Sequence, residues 1–453
     1  MRVNTLLLSR HDKIAPIVSG QTETWSGFSR SIGTSCCARS GYRKLKAYVR
    51  TASFLLLFFN LCAFAEEDIT IGDVREFLAS VPTRQEIGQT ITELKQSIRE
   101  NPHNYSFYEM LALVYEYIGE YDKALKALKA AVSYSSESSE GKDSLYGSIA
   151  RVYIKLKKFD EANPAIYKAV ALNPANLNNL QYLISYYIAK NMYKEAAEQL
   201  REISTRDKNK DYYYHFYLYA EQDLKKKGSE IIELFKAAAK ANPKSNMAHR
   251  TLAVVLRNHS TNIKKDFPKI ISELKKAFSL NKKYIFTYIS FGDTYMVMGL
   301  ETGKQAYFKK ALAWFNKAYK REPDNVKLNL AMGVLFLNTG QYDKAIAKFE
   351  YVRARAEDET VIDNLVCAYN NKADFYCKKG ENLEEGLKAV EEALKLKPQD
   401  SIALTTKAEI LYKQQRFKEA YACIKEAFAI SPRNATIMQH FKNMKKTADE
   451  APE

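Results

Sequence analysis

The chain has 453 residues, of which 46% are hydrophobic and 27% charged, with 17 Gly and 11 Pro. This length exceeds one ordinary hydrophobic core, so the chain forms several domains or a repeat array, and its Gly and Pro content excludes collagen-like and low-complexity chains. The net charge is +16, but the first 65 residues hold 9 Lys/Arg against 2 Asp/Glu, which leaves an excess of only nine over the other 388. A nucleic-acid partner is therefore not implied.

An apolar run near the N-terminus predicts export. It covers residues 52–65, follows the basic residues Arg43, Lys44, Lys46 and Arg50, and precedes three acidic residues. The run is shorter than the about 20 residues that span a bilayer, and basic, apolar and small residues in this order are typical of a secretory signal peptide. We expect cleavage after Ala65 and a periplasmic or cell-surface protein; the alternative is an uncleaved membrane anchor.

The stretch before this run, residues 1–44, is polar and without pattern. We interpret it as a non-native upstream extension or a disordered segment. Translation would then begin at Leu45 or Val49 through an alternative start codon, in a bacterial source, and the signal peptide would occupy residues 45–65.

A unit of about 34 residues recurs through the remainder of the chain. Each unit has a first helix with a Leu-like residue, a small residue and a Tyr, then a turn, then a second helix with Ala-x3-large-x2-Ala and often a Pro behind it. The first clear copy comprises Tyr108, Leu111, Ala112, Tyr115, Gly119, Tyr121, Ala124, Leu128 and Ala131. This pattern resembles the tetratricopeptide repeat family. The resemblance implies an all-α fold, a right-handed superhelical solenoid of antiparallel helix pairs.

The repeats set the domain boundaries that we expect. Residues 66–104 form lead-in helices with a degenerate half-repeat, and about nine repeats occupy residues 105–434, one of them with a longer turn around Gly303. Residues 435–446 form a capping helix on which Ile437, Phe441 and Met444 share one face. Residues 447–453 form a free polar tail.

The resemblance places binding on a concave face built from the first helices. Some family members clamp a carboxylate there with Lys, Asn and Arg. The matching positions of the first three repeats hold other residues, namely Glu109, Leu113, Gly147, Arg151, Asn178 and Tyr182. The clamp is absent, so a co-chaperone role is not carried over.

An apolar groove is predicted on the sixth and seventh repeats. Its residues are Phe286, Ile289, Met296, Val297, Leu330, Val334 and Leu337. Contiguous exposed apolar surface marks a partner site, which suits an amphipathic helix or an extended peptide. The alternative is that the insertion from Leu300 to Lys310 folds over these residues and makes them ordinary core.

A second candidate is an aromatic and basic patch. Residues 211–219 place aromatic side chains on every face of one helix, and Tyr213 and Phe216 together with Arg250 and Arg257 of the next repeat could bind an acidic glycan or peptide. The alternative is core packing with a Tyr-rich rim.

Catalytic and cofactor chemistry finds no support in the residue pattern. The six His form no His-x3-His pair, and the cysteines form no Cys-x2-Cys pair. The segment from Gly299 to Gln305 departs from a phosphate loop in its Gly spacing and in Gln305, so no nucleotide is expected.

We predict a non-enzymatic scaffold or adaptor of the bacterial cell envelope that binds a protein or peptide partner in its groove. The alternative is a surface adhesin that binds acidic glycans.

Overall fold

The computed structural model describes residues 70–136, 141–355 and 359–450, and within these ranges the regular secondary structure is entirely helical. The prediction of an all-α array of helix pairs is confirmed. The predicted extension and signal peptide, residues 1–65, lie outside the described residues. No helix in the part of the chain that the structure describes is both long enough and apolar enough to cross a membrane.

The chain divides into two compact units, the first of which includes residues 70–212. Its helices are α1 (Ile71–Ala79), α2 (Arg84–Glu100), α3 (Tyr105–Tyr117), α4 (Tyr121–Tyr134), α5 (Lys142–Lys155), α6 (Phe159–Leu172), α7 (Leu177–Ala189) and α8 (Tyr193–Arg206). The pairs α3/α4, α5/α6 and α7/α8 are antiparallel repeats. The two helices α1 and α2 precede them, and Leu94 of α2 is buried.

The second unit includes residues 213–221 and the chain from residue 225 onward. Its helices are α9 (Tyr212–Leu218), which continues as a π-helical turn over Tyr219–Asp223, α10 (Gly228–Ala241), α11 (Asn246–Asn258), α12 (Ile263–Leu280), α13 (Ile285–Thr302), α14 (Gln305–Tyr319), α15 (Val326–Asn338), α16 (Tyr342–Arg353), α17 (Glu359–Lys379), α18 (Leu383–Leu396), α19 (Ser401–Lys413), α20 (Phe417–Ile430) and α21 (Ala435–Glu450). Six pairs, from α9/α10 to α19/α20, precede the closing helix α21.

Side-chain caps start several of the first helices. Asn325 Oδ1 accepts a hydrogen bond from the backbone N of Leu328 at 3.0 Å, and Asp400 Oδ1 accepts one from the backbone N of Ala403 at 2.8 Å. These caps satisfy N–H groups that have no partner inside the helix. A proline lies two residues before each of them, at Pro323 and Pro398, where it helps to end the preceding helix. The recurring Pro and Asn or Asp thus mark the boundaries between repeats.

Small residues bring the two helices of a pair together. At Gly333, a Cβ atom would lie 2.5 Å from a ring carbon of Phe349 on α16, and at Gly292 it would collide with the ring of Phe315 on α14. Both phenylalanines are fully buried. The rings therefore occupy the space that a side chain on the first helix would need.

Two expectations about the chain path are wrong. The extra residues near Gly303 do not form a longer turn: they extend α13 to Thr302, and Gly303 follows with a left-handed φ of 68° that ends the helix. The closing helix α21 continues to Glu450, so residues 447–450 are not part of a free tail. The hydroxyls of Thr447 and Tyr412 lie 3.1 Å apart and tie this last turn to α19.

Replacing Gly333 with Ala tests the close approach. We expect Gly333→Ala to lower the free energy of unfolding by about 1–3 kcal/mol, because the ring of Phe349 must shift in a packed core. The matched control is Gly88→Ala on α2, where a Cβ would meet nothing within 4 Å. Because Ala favours helix over Gly, the control should raise the free energy of unfolding by about 0.5–1 kcal/mol. Urea unfolding followed by circular dichroism measures both; equal effects of the same sign would contradict the packing argument.

Candidate partner-binding face

Three of the seven predicted groove residues lie in the core. Ile289, Met296 and Leu330 are 8%, 3% and 4% exposed and belong to one buried cluster with residues of α14, α16 and α17. The prediction that these three line an open groove is wrong, since neighbouring helices already cover them. Their apolar character is explained by packing between repeats.

The other four predicted groove residues keep part of their surface. Phe286, Val334 and Leu337 pack against the same cluster but are only half-buried, and Val297 is half-buried as well. They lie on α13 and α15, which are the first helices of successive repeats. We call Phe286, Val297, Val334 and Leu337 the apolar anchors.

The insertion does not cover the apolar anchors as a loop. Residues 300–302 are the last residues of α13, and residues 305–310 are the start of α14. Phe308 instead packs on Gly299, where a Cβ would lie 2.8 Å from its ring. The extra residues therefore lengthen the helix pair and add to its own packing.

The aromatic part of the second predicted site is also core. Tyr213 and Phe216 are 0% and 1% exposed, and the Tyr213 hydroxyl accepts a hydrogen bond from Asn242 Nδ2 at 3.1 Å. The prediction that their rings form a surface patch is therefore wrong. The run of aromatic residues on α9 fills the space toward the second helix of its pair, as the edge-to-face contact between Tyr217 and Phe235 illustrates.

Arg250, the first basic residue of that patch, is buried among aromatic rings that the sequence did not assign to it. Its guanidinium carbon lies 4.8 Å from the ring centre of Tyr214, 5.9 Å from that of Tyr284 and 5.8 Å from that of Phe286. Such contacts stabilise a cation through the negative face of the ring. Arg250 Nη1 also lies 3.4 Å from the Ser290 hydroxyl. The structure thus joins Arg250 to Phe286, one of the apolar anchors.

Arg257 lies two helical turns after Arg250 and faces an acidic residue. Its Nη1 atom is 3.5 Å from Asp293 Oδ2, and its Nε donates to Asn258 Oδ1 at 3.1 Å. Burial raises the pKa of Asp293 above its ordinary value, although Arg257 and Arg250 act in the opposite direction. The ion pair therefore lies in a poorly solvated place on the first helices α11 and α13.

Lys327 on α15 completes this group and was missed in the sequence. Its ammonium lies 5.8 Å from the ring centre of Tyr214 and 5.5 Å from that of Phe286. First helices of four successive repeats therefore meet around these side chains. We call the surface formed by Tyr214, Arg250, Arg257, Phe286, Asp293, Lys327 and the other apolar anchors the inner face of the second unit. The sequence signal for it is the spacing of seven residues between Arg250 and Arg257, which places both on one side of α11.

Two of the clamp positions of the first unit, Arg151 and Tyr182, belong to a network of ion pairs and hydrogen bonds. Arg151 Nη2 lies 2.8 Å from Glu116 Oε2, and Lys155 Nζ lies 3.0 Å from Glu116 Oε1. Arg151 also reaches the Tyr182 hydroxyl at 3.5 Å. These side chains of α3, α5 and α7 bind one another across the first helices of successive repeats.

Two cysteines of α17 lie in surroundings that disfavour the thiolate. Burial raises the pKa of Cys367 and of Cys377 to about 11, so both stay protonated near neutral pH. Within residues 70–136, 141–355 and 359–450, no group of three or more His, Cys, Asp or Glu is placed to hold a metal ion.

Two substitutions on α15 separate core from surface. We expect Leu330→Glu to lower the free energy of unfolding by about 3 kcal/mol or more, because it buries a charge without a partner. Val334→Glu should lower it by about 1 kcal/mol, since its carboxylate can reach solvent. Thermal unfolding of the two variants checks this, and equal losses would show that Val334 is core as well.

Comparison with known proteins agrees with the geometry. Two family models, each described as tetratricopeptide repeat, match this chain, one at residues 105–138 and 143–176 and the other at residues 299–359 and 378–435. The matched segments fall on helix pairs of both units.

Relatives share the repeat at low identity. The chain is 26% identical over 159 residues to the TPR repeat-containing protein YpiA of Bacillus subtilis, which covers 34% of this chain and 36% of that protein. It is 21% identical over 347 residues to the TPR repeat-containing protein MJ1428 of Methanocaldococcus jannaschii, which covers 75% of this chain and 54% of that protein. The chain thus spans about a third and about half of these two relatives.

A solved structure, that of YrrB, described as a TPR protein with an unusual peptide-binding site, aligns at 17% identity with a TM-score of 0.35. The alignment covers 47% of this chain and 99% of YrrB. The repeated helix pairs and the two matching family models show that this chain contains tetratricopeptide repeats, at residues 105–138, 143–176, 299–359 and 378–435.

Proposed function

We propose that this chain is a non-enzymatic scaffold of the bacterial cell envelope that binds a protein or peptide partner along the inner face of its second unit. Tetratricopeptide repeats support protein interaction in general. The observation that carries the proposal is the set of half-buried apolar anchors on α13 and α15. A stacked helical array buries its core between neighbours and leaves its first helices available for a partner.

The anchors suit a partner because they combine fixed position with unused apolar surface. Phe286, Val334 and Leu337 rest on a buried cluster, so little side-chain freedom is lost when a partner covers them. Such preorganised apolar residues surrounded by polar groups are typical of the centre of an interface. Lys327 and Asp293 supply polar groups beside them.

The alternative, a glycan-binding surface, depended on exposed aromatic rings at Tyr213 and Phe216. Tyr213 and Phe216 are buried and cannot stack on a sugar. No other observation favours an adhesin over a protein scaffold. Glycan binding therefore remains only as one possible outcome of the binding experiments.

The partner site is tested by a matched pair of Leu→Glu variants. We expect Leu337→Glu on the inner face to abolish capture of a discrete partner by in-cell crosslinking and mass spectrometry. The control is Leu280→Glu, at the end of the second helix α12, where Leu280 is 42% exposed. The control should capture the same partner as the unaltered chain. Retention in both variants, or loss in both with normal thermal stability, would contradict a site on the inner face.

Export is tested on the mature protein. If residues 45–65 are a signal peptide, intact-mass analysis of protein from its native host should give a chain that begins at Glu66. A processed chain that retains Trp25 would contradict both the start near residue 45 and the cleavage after Ala65.

A further inference from the structure

We propose that the inner face binds an extended partner segment that carries acidic residues three positions apart, with Arg250, Arg257 and Lys327 as its cationic contacts. This inference rests on the proposed function, because it assigns a chemistry to the partner of the same face. It goes further in that it names the charge, the conformation and the spacing of the bound segment.

The first observation is that two cations share the same two rings. Tyr214 and Phe286 each lie within 6 Å of both the Arg250 guanidinium carbon and the Lys327 ammonium. The cations come from α11 and α15 and the rings from α9 and α13. Arg250 is 6% exposed, so the rings replace water around its guanidinium and its charge is weakly screened, whereas the ammonium of Lys327 is exposed.

The second observation is that Arg257 retains bonding capacity. Its side chain is 6% exposed, and its Nη1 atom is buried without a hydrogen-bond partner among the described residues. The 3.5 Å separation from Asp293 is long for a charge-assisted hydrogen bond. A buried cation whose charge is compensated only across so long a contact favours a further anionic group beside it, and a partner carboxylate would be such a group.

The spacing of the two arginines defines the ligand. Seven residues of α-helix correspond to about 10.5 Å along the axis. A segment in the extended polyproline II conformation advances about 3.1 Å per residue with three residues per turn, so side chains three positions apart point in the same direction and cover nearly the same distance. Acidic side chains at positions i and i+3 of an extended segment therefore match Arg250 and Arg257.

The apolar anchors favour a peptide over an acidic polysaccharide. Val334 lies seven residues after Lys327 and hence on the same side of α15. Val334 and Leu337 offer half-buried apolar surface on the helix that carries Lys327, and the half-buried ring of Phe286 lies directly beside Arg250 and Lys327. A segment with acidic and apolar side chains uses both surfaces, whereas a polyanionic sugar uses only the charges.

The test uses the full chain and a defined probe. The probe is a fluorescein-labelled peptide with Glu at every third position and Leu, Gly and Ser between, and its control has Gln in place of every Glu. We expect the Glu peptide to bind at least about tenfold more tightly by fluorescence anisotropy, with an affinity that falls as salt rises. A third peptide with the same composition but adjacent Glu residues should bind more weakly than the spaced one.

Variants identify the surface. Lys327→Glu should weaken binding of the Glu peptide at least about tenfold, and its fold should survive because Lys327 is exposed. The control is Lys275→Glu, which makes the same charge change at an exposed position on the second helix α12 and should leave the affinity nearly unchanged. Arg257→Gln should weaken binding as well; Lys327→Gln replaces Lys327→Glu if circular dichroism shows a loss of helix.

Several results would overturn the inference. Equal binding of the Glu and Gln peptides would remove the charge requirement, and equal losses in Lys327→Glu and Lys275→Glu would show unspecific attraction. Binding of dextran sulfate without binding of any peptide would assign the face to a polysaccharide. If Leu337→Glu abolishes partner capture while the Glu peptide fails to bind, the acidic inference falls and the proposed scaffold stands. If the Glu peptide binds but no partner is captured from cells, the acidic preference of the inner face stands and the proposed scaffold role falls.

Discussion

The close approach of the two helices in each pair determines what the rest of this molecule can do. At Gly333, the ring of Phe349 occupies the place of a side chain, and Ala112, Ala150 and Ala408 are buried at the corresponding positions of other repeats. Short distances between helices leave no room for water, so the side chains between them must be apolar and well packed. One small residue per first helix thereby fixes the orientation of the residues on both of its flanks.

The packing of the first helices determines which apolar residues a partner could contact. On α13 and α15, residues that point toward the next first helix, such as Ile289 and Leu330, are covered by it. Other apolar residues of the same helices, such as Phe286 and Val334, pack against the buried cluster and stay half-buried. The same packing that stabilises the array therefore produces a narrow row of anchors, and the amount of surface for a partner is set by the distance between repeats.

The sequence predicted the helices well because periodicity is a local property. The spacing of Tyr, Leu, small residues and Pro follows from the contacts of one helix with the next, and those contacts recur in every repeat. Burial on the inner face is different, since Ile289 and Phe286 are both apolar and lie on the same helix. Only the position of the neighbouring helix separates them, and that position is not visible in the spacing. Tyr213 was misassigned for the same reason, because a run of aromatic residues does not reveal how closely the paired helix approaches.

Lys327 illustrates what only the tertiary structure could provide. In the sequence it is one of many lysines, 113 residues from Tyr214. In the structure its ammonium lies beside the ring of Tyr214 and beside Phe286, the ring that also flanks Arg250. Positively charged residues are spread along the sequence with only a small net excess. On the inner face, four first helices bring several of them close together. A mild overall charge is therefore compatible with strong local selection of an acidic partner, because the field that a ligand meets depends on the few charges that share its desolvated surroundings.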